Sequence, residues 1–313
     1  MTSEPTQAPP TQVLATHVLT LVGAPSRPPS LDNARVGELA PHLPSPGAPR
    51  WLDPGYALDI PFAPRGEFDA KKLAAALRLE LGDAPVDVFV QPLAFRRKRL
   101  FLADMDSTMI DQECIDELAD LVGKKAEVAP ITERAMRGEL EFEGALRARV
   151  ALLKGLSADV VDRVIAERVV LTPGGTTLVR TMRANGAYAA LVSGGFTLFT
   201  SRVGAMIGFD EDRANTLLVE NGVFTGFVAE PILGREAKFE ALVDLRAAKR
   251  LVKDETMAVG DGANDLAMIK AAGLGVAFHA KPAVAAAAAA RIDHGDLSAL
   301  LFAQGYARGE FVA

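Results

Sequence analysis

The sequence predicts an α/β protein in which a doubly wound parallel sheet carries an inserted helical cap and follows a small α+β domain. From residue 99 onward, buried-type strands alternate with helices, a pattern typical of parallel sheets. Residues 112–167 form a helical block between the first two of these strands, far longer than such a connection needs, which indicates a cap. Before residue 99, the element order β-α-β-β-α-β is typical of a compact α+β module.

The N-terminal elements follow from apolar periodicity and turn residues. Residues 1–12 are polar and proline-bearing and are predicted to be a disordered tail, and the α+β domain is predicted over 13–98. In chain order, its elements are the strand HVLTLVG, the helix LDNARVGELAPHL, the paired strands RWLD and YALDIPF, the helix FDAKKLAAALRLEL and the strand VDVFVQPL. The basic stretch FRRKR (95–99) is predicted to be a solvated linker.

The second domain is predicted over 99–313, with its cap at about 113–178. Its strands are RLFLAD, AYAALVS, TMAVGD and LGVAFHA, and its helices outside the cap are TPGGTTLVRTMRANG, FTLFTSRVGAMIG, REAKFEALVDLRAAKRL and NDLAMIKAAG. Asn221-Gly222 between two apolar runs predicts a β-hairpin. The alanine run 285–290 is predicted to be helical because alanine has the highest helix propensity.

Composition limits the classes of function. A length of 313 residues suits two domains, and 49% hydrophobic residues supply ample core. The net charge of −6 and the lack of a long basic run argue against nucleic-acid and membrane partners. The single cysteine, Cys114, is expected to be a buried apolar residue of a helix. Because the sequence shows no signal-peptide pattern and no bilayer-spanning apolar run, a cytoplasmic location is expected.

Polar side chains gather near the ends of the predicted parallel strands. They are Asp104 and Asp106 after the first strand, Ser193 after the second, Asp261, Asn264 and Asp265 after the third, and Lys238 in the helix that follows the hairpin. Ligands of doubly wound sheets bind outside the carboxyl ends of the strands. Clustered carboxylates repel one another and lose solvation, so this grouping is explained if a divalent cation and a phosphate balance the charge.

The motifs DMDST, SGG and GDGANDLAM, together with the isolated Lys238, resemble those of the haloacid dehalogenase superfamily. With the cap segment MRGELEFEGALRARVALLKGL, they resemble the phosphoserine phosphatase family within it, over about residues 100–280. The resemblance implies a haloacid dehalogenase-like fold and a magnesium-dependent phosphoric monoester hydrolase. The implied reaction releases phosphate from O-phospho-L-serine to give L-serine, the last step of serine biosynthesis, through an aspartyl-phosphate intermediate.

The same resemblance implies the catalytic roles. Asp104 would be the nucleophile, and Asp106 would act first as general acid and then as general base. The protein ligands of Mg²⁺ would be Asp104, the backbone carbonyl of Asp106, and Asp261, all of them hard oxygens. Asp265 would orient its neighbours, although a helix cap is an equal reading of an Asp at that position.

Substrate binding is also implied by the matching positions. The residues implied to hold the phosphate are Ser193, Gly194, Gly195, Lys238 and Asn264. Glu113 would meet the ammonium of the substrate and Arg149 its carboxylate, since arginine grips carboxylates with two parallel hydrogen bonds. Met136 and Phe142 match the apolar wall of the cap.

The element order of the N-terminal domain is similar to that of the ACT-like extension of some phosphoserine phosphatases. ACT domains bind amino acids and dimerise in other proteins, so the resemblance leaves both a homodimer and a bound regulator open. The partner expected from the motifs is a small-molecule substrate, without nucleic acid or membrane.

The sequence leaves two alternatives open and excludes a third. One is another phosphatase of the superfamily, acting on phosphoglycolate or a sugar phosphate, and the other is a non-enzymatic sensor of phosphoamino acids. The presence of Asp104, Asp106, Lys238 and Asp261 argues against the sensor. A fragment of a cation pump is excluded by the lack of a membrane span and by DMDST at the nucleophile.

Overall fold

The computed structural model describes residues 14–136, 140–234 and 236–313, apart from the side chains of Thr132, Glu133, Ala135 and Met136. The predicted tail 1–12 and the predicted contact of Met136 with the substrate therefore lie outside the described residues. Among those that are described, no helix is long and apolar enough to cross a membrane.

The N-terminal elements form one antiparallel sheet with two helices. In chain order they are β1 (His17–Gly23), α1 (Asn33–Leu39), β2 (Arg50–Asp53), β3 (Ala57–Phe62), α2 (Ala70–Leu81) and β4 (Val86–Pro92). The strand order is β2-β3-β1-β4, and the predicted β-α-β-β-α-β sequence of elements is confirmed. Asp69 begins α2 by accepting hydrogen bonds from the amides of Lys71 and Lys72, which would otherwise lack partners.

The two faces of this sheet bury different surfaces because side chains alternate along a strand. Leu19 and Leu21 of β1 pack under α1 and α2, in a cluster that includes Val36 and Leu77. Val22 lies on the other face and belongs to the main core of the following domain. The N-terminal sheet is therefore covered on both sides.

The second domain contains a parallel sheet and a hairpin. The strands are β5 (Leu100–Ala103), β6 (Tyr188–Phe196), β7 (Glu211–Asn215), β8 (Leu217–Glu220), β9 (Val223–Val228), β10 (Thr256–Gly260), β11 (Leu274–Phe278) and β12 (Ala290–Ile292). The order β12-β11-β10-β5-β6-β7 is parallel throughout, while β8 and β9 pair only with each other in the described part of the chain. This arrangement confirms the predicted doubly wound sheet.

The helices of this domain fall into a cap group and a sheet group. Those of the cap are α3 (Cys114–Leu121), α4 (Lys125–Met136), α5 (Phe142–Ala151) and α6 (Val160–Arg168). Those that follow are α7 (Gly175–Ala184), α8 (Thr197–Ile207), α9 (Ala237–Ala248), α10 (Leu266–Ala271), α11 (Pro282–Ala287) and α12 (Ala299–Ala303). The predicted cap boundary near residue 178 lies inside α7, which contacts β6 of the sheet.

The structure corrects three expectations. Strand β7 was not predicted, because its sequence EDRAN is polar and it forms an edge that needs few apolar residues. The alanine run 285–290 is helical only to Ala287, and Ala290 pairs with Val276 as β12, so sheet pairing overrides helix propensity there. FRRKR is not a solvated linker, since Arg96 and Lys98 are 9% and 7% exposed.

Candidate active site

Strands β5 and β10 end at the same level of the sheet, while the neighbouring β6 continues past it. Ala103 at the end of β5 stands in register with both Val259 of β10 and Leu191 of β6, and β6 extends to Phe196. The residues that follow β5 and β10 therefore meet the last part of β6 above one edge, as expected for parallel strands. Asp104 is fixed there because its amide donates to the carbonyl of Val259 at 3.1 Å.

A buried lysine lies between two aspartates at this edge. Lys238 Nζ is 2.7 Å from Asp104 Oδ1 and 2.6 Å from Asp265 Oδ1. The amide of Met105 also donates to Asp104 Oδ1, at 2.8 Å. Within the described residues, Asp104 Oδ2 has no hydrogen bond, so this oxygen is free to act on a ligand. Burial lowers the pKa of Lys238, but the charges of Asp104 and Asp265 more than offset this, and its pKa is raised.

Asp265 is built into the loop rather than serving only to begin α10. Its Oδ2 accepts from the amide of Gly262 at 3.0 Å, while Oδ1 receives Lys238, so both of its oxygens are occupied. Gly260 must lack a side chain here, because a Cβ would lie 2.4 Å from Asp265 Cγ. These contacts support the orienting role that the sequence suggested for Asp265.

The carboxylates form a group with the chemistry of a divalent cation site. Oxygens of Asp104, Asp261 and Asp265 lie within 4.8 Å of one another. Burial, together with the charges of Asp265 and Glu113, raises the pKa of Asp261 to about 6, and burial and the charge of Asp265 raise the pKa of Asp104. A cation bound between these oxygens would relieve that repulsion, so the residues fit such an ion.

Asp106 stands apart from the carboxylate group and faces the cap. Its Oδ1 accepts from the amide of Cys114 at the start of α3, at 3.0 Å, and its Oδ2 lies 3.5 Å from Ser193 Oγ. Burial, and next the charge of Glu113, raise the pKa of Asp106 to about 7. A carboxyl group with such a pKa can both give and take a proton near neutral pH. The Cys114 side chain is buried as expected.

The SGG segment is the irregular part of β6, where its register with β7 shifts, and it lies over the same edge. The amide of Gly195 donates to Ser193 Oγ at 2.9 Å. A Cβ at Gly195 would lie 3.1 Å from that oxygen and 3.2 Å from Asp106 Oδ2, so a side chain at 195 would fill the space above Asp106. Asn264 lies in the short helical turn that begins beside Gly262 and ends at Asp265.

The predicted specificity residues line the cap side. Glu113 Oε1 accepts from Ser107 Oγ at 2.8 Å. Arg149 is partly buried, and its only side-chain hydrogen bond among the described residues goes from Nε to the carbonyl of Ala145, at 3.3 Å. Burial lowers the pKa of Arg149, and the charges of Asp116, Glu113 and Asp106 oppose that shift. Phe142 packs on Gly194, whose added Cβ would be 3.4 Å from the ring.

Two contacts of the site were not anticipated from the sequence. Thr108 Oγ1 donates to Asp261 Oδ1 at 3.3 Å, and Ser107 holds Glu113 from a left-handed backbone conformation (φ 55°). Both residues lie in the quoted motif DMDST, so the motif contained the signal, but only the fold shows which carboxylates they meet. The structure thus gathers the predicted residues Asp104, Asp106 and Lys238 at one edge.

Comparison with known proteins agrees with this geometry. The model of the haloacid dehalogenase-like hydrolase family matches residues 101–270. Among curated relatives, a phosphoserine phosphatase of Streptomyces coelicolor is 44% identical over 256 residues, which are 81% of this chain and 62% of that protein. The chain thus spans less than two thirds of the length of that relative.

Solved structures show the same architecture. A probable phosphoserine phosphatase from Vibrio cholerae superposes with a TM-score of 0.73 at 32% identity, covering 95% of this chain and 88% of that one. A phospho-aspartyl intermediate analogue of phosphoserine phosphatase superposes with a TM-score of 0.60 at 40% identity, covering 66% of this chain and 98% of that one. The family model matches more than half of this chain, so the chain belongs to the haloacid dehalogenase-like hydrolases.

Proposed function

We propose that this chain is a magnesium-dependent phosphatase that releases phosphate from O-phospho-L-serine. The observation that carries the proposal is the position of Lys238 between Asp104 and Asp265, near Asp106, whose pKa burial raises to about 7. The group joins a nucleophile, a positive charge and a proton donor at one edge of the sheet. The relatives that bear the name phosphoserine phosphatase support the choice of substrate.

The first half-reaction transfers the phosphoryl group to the protein. Asp104 Oδ2 attacks phosphorus, the bond from phosphorus to the serine oxygen breaks, and the proton of Asp106 goes to that oxygen. This proton matters because serine is a poor leaving group as an alkoxide. Lys238 and the amides of the SGG segment hold the phosphate oxygens, whose charge must be balanced in the transition state.

The second half-reaction removes the phosphoryl group by water. Asp106, now a carboxylate, takes a proton from the water as its oxygen attacks phosphorus, and the bond to Asp104 breaks. Inorganic phosphate leaves, and both aspartates return to their first protonation states. The raised pKa of Asp106 suits this double use, because neither protonation state is strongly disfavoured near neutral pH.

Mg²⁺ is the cation proposed for the carboxylate group. Asp104 and Asp261 would hold it with the backbone carbonyl of Asp106, whereas the oxygens of Asp265 are already engaged by Lys238 and Gly262. When bound, the ion supplies positive charge to the oxygens of the phosphate and keeps water in its shell.

The cap residues would select the amino-acid head of the substrate. Arg149 has guanidinium nitrogens without hydrogen bonds to described residues, and it would bind the carboxylate. Glu113, held by Ser107, would bind the ammonium. Phe142 would form the apolar wall above Gly194.

One assay tests the proposal. Phosphate release is measured from L-phosphoserine, phosphoglycolate and a sugar phosphate, each with Mg²⁺ and with chelator. We expect the highest kcat/KM for phosphoserine and loss of turnover in chelator that added Mg²⁺ restores. Preference for phosphoglycolate would leave a phosphatase of another substrate class. No turnover of any substrate would favour the sensor.

Three further expectations stay predictions: an ACT-like role of the N-terminal domain, a homodimer, and a cytoplasmic location. Size measurement in solution with and without L-serine tests the first two together. A serine-dependent change in mass or in thermal stability would support a regulatory N-terminal domain.

A further inference from the structure

Strand β6 leaves register with β7 at residues 193–195, which would bind the phosphate. Val192 pairs with Arg213 and Phe196 pairs with Asn215, so residues 193–195 of β6 stand opposite a single residue of β7. Such an excess bends a strand and leaves its backbone polar groups without ladder partners. Buried backbone groups need hydrogen-bond partners, so the backbone of residues 193–195 must find them outside the ladder with β7.

The side chain of Asn215 supplies these partners. It is buried, its Nδ2 donates to the carbonyl of Gly194 at 2.9 Å and to that of Leu233 at 3.3 Å, and its Oδ1 accepts from the amide of Leu233 at 2.7 Å. These partners fix which end of the amide is nitrogen, because a flipped group would face donor to donor and acceptor to acceptor. One residue thus joins two backbone segments.

The bond to Gly194 sets the direction of the next amide. The carbonyl of Gly194 and the N–H of Gly195 share one planar peptide unit and point in opposite directions. Holding the oxygen at β7 therefore turns the N–H of Gly195 toward Ser193 Oγ, at 2.9 Å, and so toward Asp106. This amide is one of those that would hold the phosphate.

The second segment leads into the helix that carries Lys238. Leu233 precedes Gly234, and α9 begins at Ala237, one residue before the lysine. Phe142 of the cap lies beside both segments, since added Cβ atoms at Gly194 and Gly234 would lie 3.4 and 4.0 Å from its ring. Asn215 therefore fixes the spacing of the surface onto which the cap packs.

We propose that Asn215 is a positioning residue for phosphoryl transfer, acting through the Gly195 amide and through the segment before Lys238. The proposal rests on the proposed phosphatase function. We expect Asn215 to stabilise mainly the transition state, because the phosphate oxygens then carry the charge that the Gly195 amide and Lys238 must balance.

The test compares Asn215→Asp with the wild type. The carboxylate keeps the shape and the bond from the Leu233 amide, but it places an oxygen against the carbonyls of Gly194 and Leu233. We expect kcat for phosphoserine and for p-nitrophenyl phosphate to fall about 5- to 150-fold, the effect of one buried polar mismatch, with KM changed by less than about threefold. Asn185→Asp is the control, because Asn185 also donates its amide to a carbonyl, that of Thr181, away from the site.

A second readout separates positioning from a general loss of stability. Orthovanadate mimics the transition state and inorganic phosphate the ground state, so Asn215→Asp should weaken inhibition by vanadate more than by phosphate. The side chain in Asn215→Ser is too short to reach both segments, so inhibition by vanadate should again weaken more than inhibition by phosphate. This variant replaces Asn215→Asp in the test if Asn215→Asp does not fold. Equal weakening of both inhibitors, or unchanged kcat in a folded variant, would overturn the proposal. Should the wild type reject phosphoserine yet hydrolyse the aryl phosphate, the substrate proposal fails while this test proceeds on the aryl phosphate.

Discussion

At the scale of single residues, the site depends on a balance of buried charge. Lys238 is 3% exposed and Asp104 is 5% exposed, so neither charge is screened by water. Buried ion pairs contribute little net stability, but removing one partner leaves an uncompensated charge. The arrangement is therefore better explained by the proposed reaction than by folding. In that reaction the lysine would neutralise the Asp104 nucleophile, which must meet an anionic substrate.

The first prediction concerns the nucleophile. Asp104→Asn keeps the shape of the side chain but cannot form the acyl phosphate, so we expect turnover to fall by at least about 10⁴-fold with the fold retained. Phosphate release is measured on protein whose circular dichroism matches the wild type. Near-normal turnover by the folded variant would contradict the mechanism.

The second prediction concerns the general acid. Asp106→Asn removes the transferable proton, and an activated aryl phosphate needs that proton less than phosphoserine does. We expect kcat for phosphoserine to fall about 10²- to 10⁴-fold. The rate of the first half-reaction with p-nitrophenyl phosphate should fall less. The first step is followed by the burst of nitrophenol. An equal loss in burst rate and in phosphoserine turnover would argue against the acid role.

The third prediction concerns specificity. Arg149→Ala leaves the substrate carboxylate without a partner, so we expect kcat/KM for phosphoserine to fall roughly 30- to 4000-fold, the equivalent of about 2–5 kcal/mol. Glu113→Gln keeps its shape and should cause a smaller loss. Both variants should spare the aryl phosphate. Arg147→Ala is the matched control, because Arg147 lies on the same helix and pairs on the surface with Glu143 and Glu230.

If Arg149→Ala weakens both substrates alike, Arg149 is a structural residue of the cap. The choice of phosphoserine would then lose its support from the site. If Arg147→Ala reproduces the loss, the effect belongs to the charge of α5 as a whole rather than to one guanidinium.

The predictability of the site differs from residue to residue. Asp104 and Asp261 could be chosen from motifs, because strand ends bring such residues to one edge whatever the details of packing. Lys238 lies in α9, so only the resemblance to the family singles it out. Asn215 could not be chosen, since its role depends on a break in register between β6 and β7 that no local pattern reveals. Ser107 belongs to the motif DMDST, but its contact with Glu113 depends on how the chain enters the cap.

At the scale of elements, the cap is built from two separate parts of the chain. Helices α3 to α6 follow β5, while the hairpin β8–β9 comes much later and packs on α5. Phe224 of the hairpin accepts from the amide of Gly155 at 2.8 Å and donates to the carbonyl of Leu156 at 2.9 Å. The sequence predicted the hairpin from Asn221-Gly222 but not this placement, because the contact is distant along the chain.

The fourth prediction concerns movement of this cap. Lids exclude water from the first step of such reactions and must admit one for the second. We expect orthovanadate with Mg²⁺ to slow amide hydrogen exchange in α3 and α5, which carry Asp106's partner Cys114 and the residue Arg149. Strand β3 of the N-terminal sheet serves as the control. Unchanged exchange in both helices at saturating ligand would indicate a rigid site.

At the scale of the whole molecule, the N-terminal sheet and the C-terminal segment share a buried interface. Phe89 of β4 lies in the same core cluster as Phe302 and Tyr306 near the C-terminus. At the sheet edge, the carboxylate of Asp87 accepts hydrogen bonds from the amides of residues 293–295, at 2.7 to 3.1 Å. The predicted linker 95–99 is part of this interface. Its basic composition predicts exposure to solvent, but Arg96 and Lys98 are buried by their partners in the interface.

Arg96 is the centre of the polar part of that interface. It forms two hydrogen bonds with Asp59, at 2.8 and 2.6 Å, and one with Thr20 at 2.7 Å. It also donates to the carbonyls of Phe302 and Ala303, at 3.1 and 2.8 Å. The guanidinium therefore joins the N-terminal sheet to the C-terminal segment and uses its planar set of donors on both.

The fifth prediction follows from this network. Arg96→Met keeps much of the apolar stem but leaves the buried Asp59 carboxylate with only the largely exposed Arg50 as a cation, 3.2 Å away. We therefore expect the free energy of unfolding to fall by up to about 3–5 kcal/mol. Arg163→Ala is the control. Arg163 pairs with Glu167 at 3.5 Å on the surface, and a pair of that kind is worth about 0–1 kcal/mol. Urea unfolding of both variants measures the difference.

The double variant Arg96→Met/Asp59→Leu separates the ion pair from the packing around it. With both charges gone, no carboxylate is left buried alone, so part of the lost stability should return and the double-mutant cycle should show favourable coupling. At temperatures where the variants are folded, kcat should stay near that of the wild type, because Asp59 and Arg96 belong to the interface and not to the site around Asp104. A full loss of activity in a folded Arg96→Met protein would mean that domain docking controls the site. No coupling between the two substitutions would mean that the pair contributes nothing to docking.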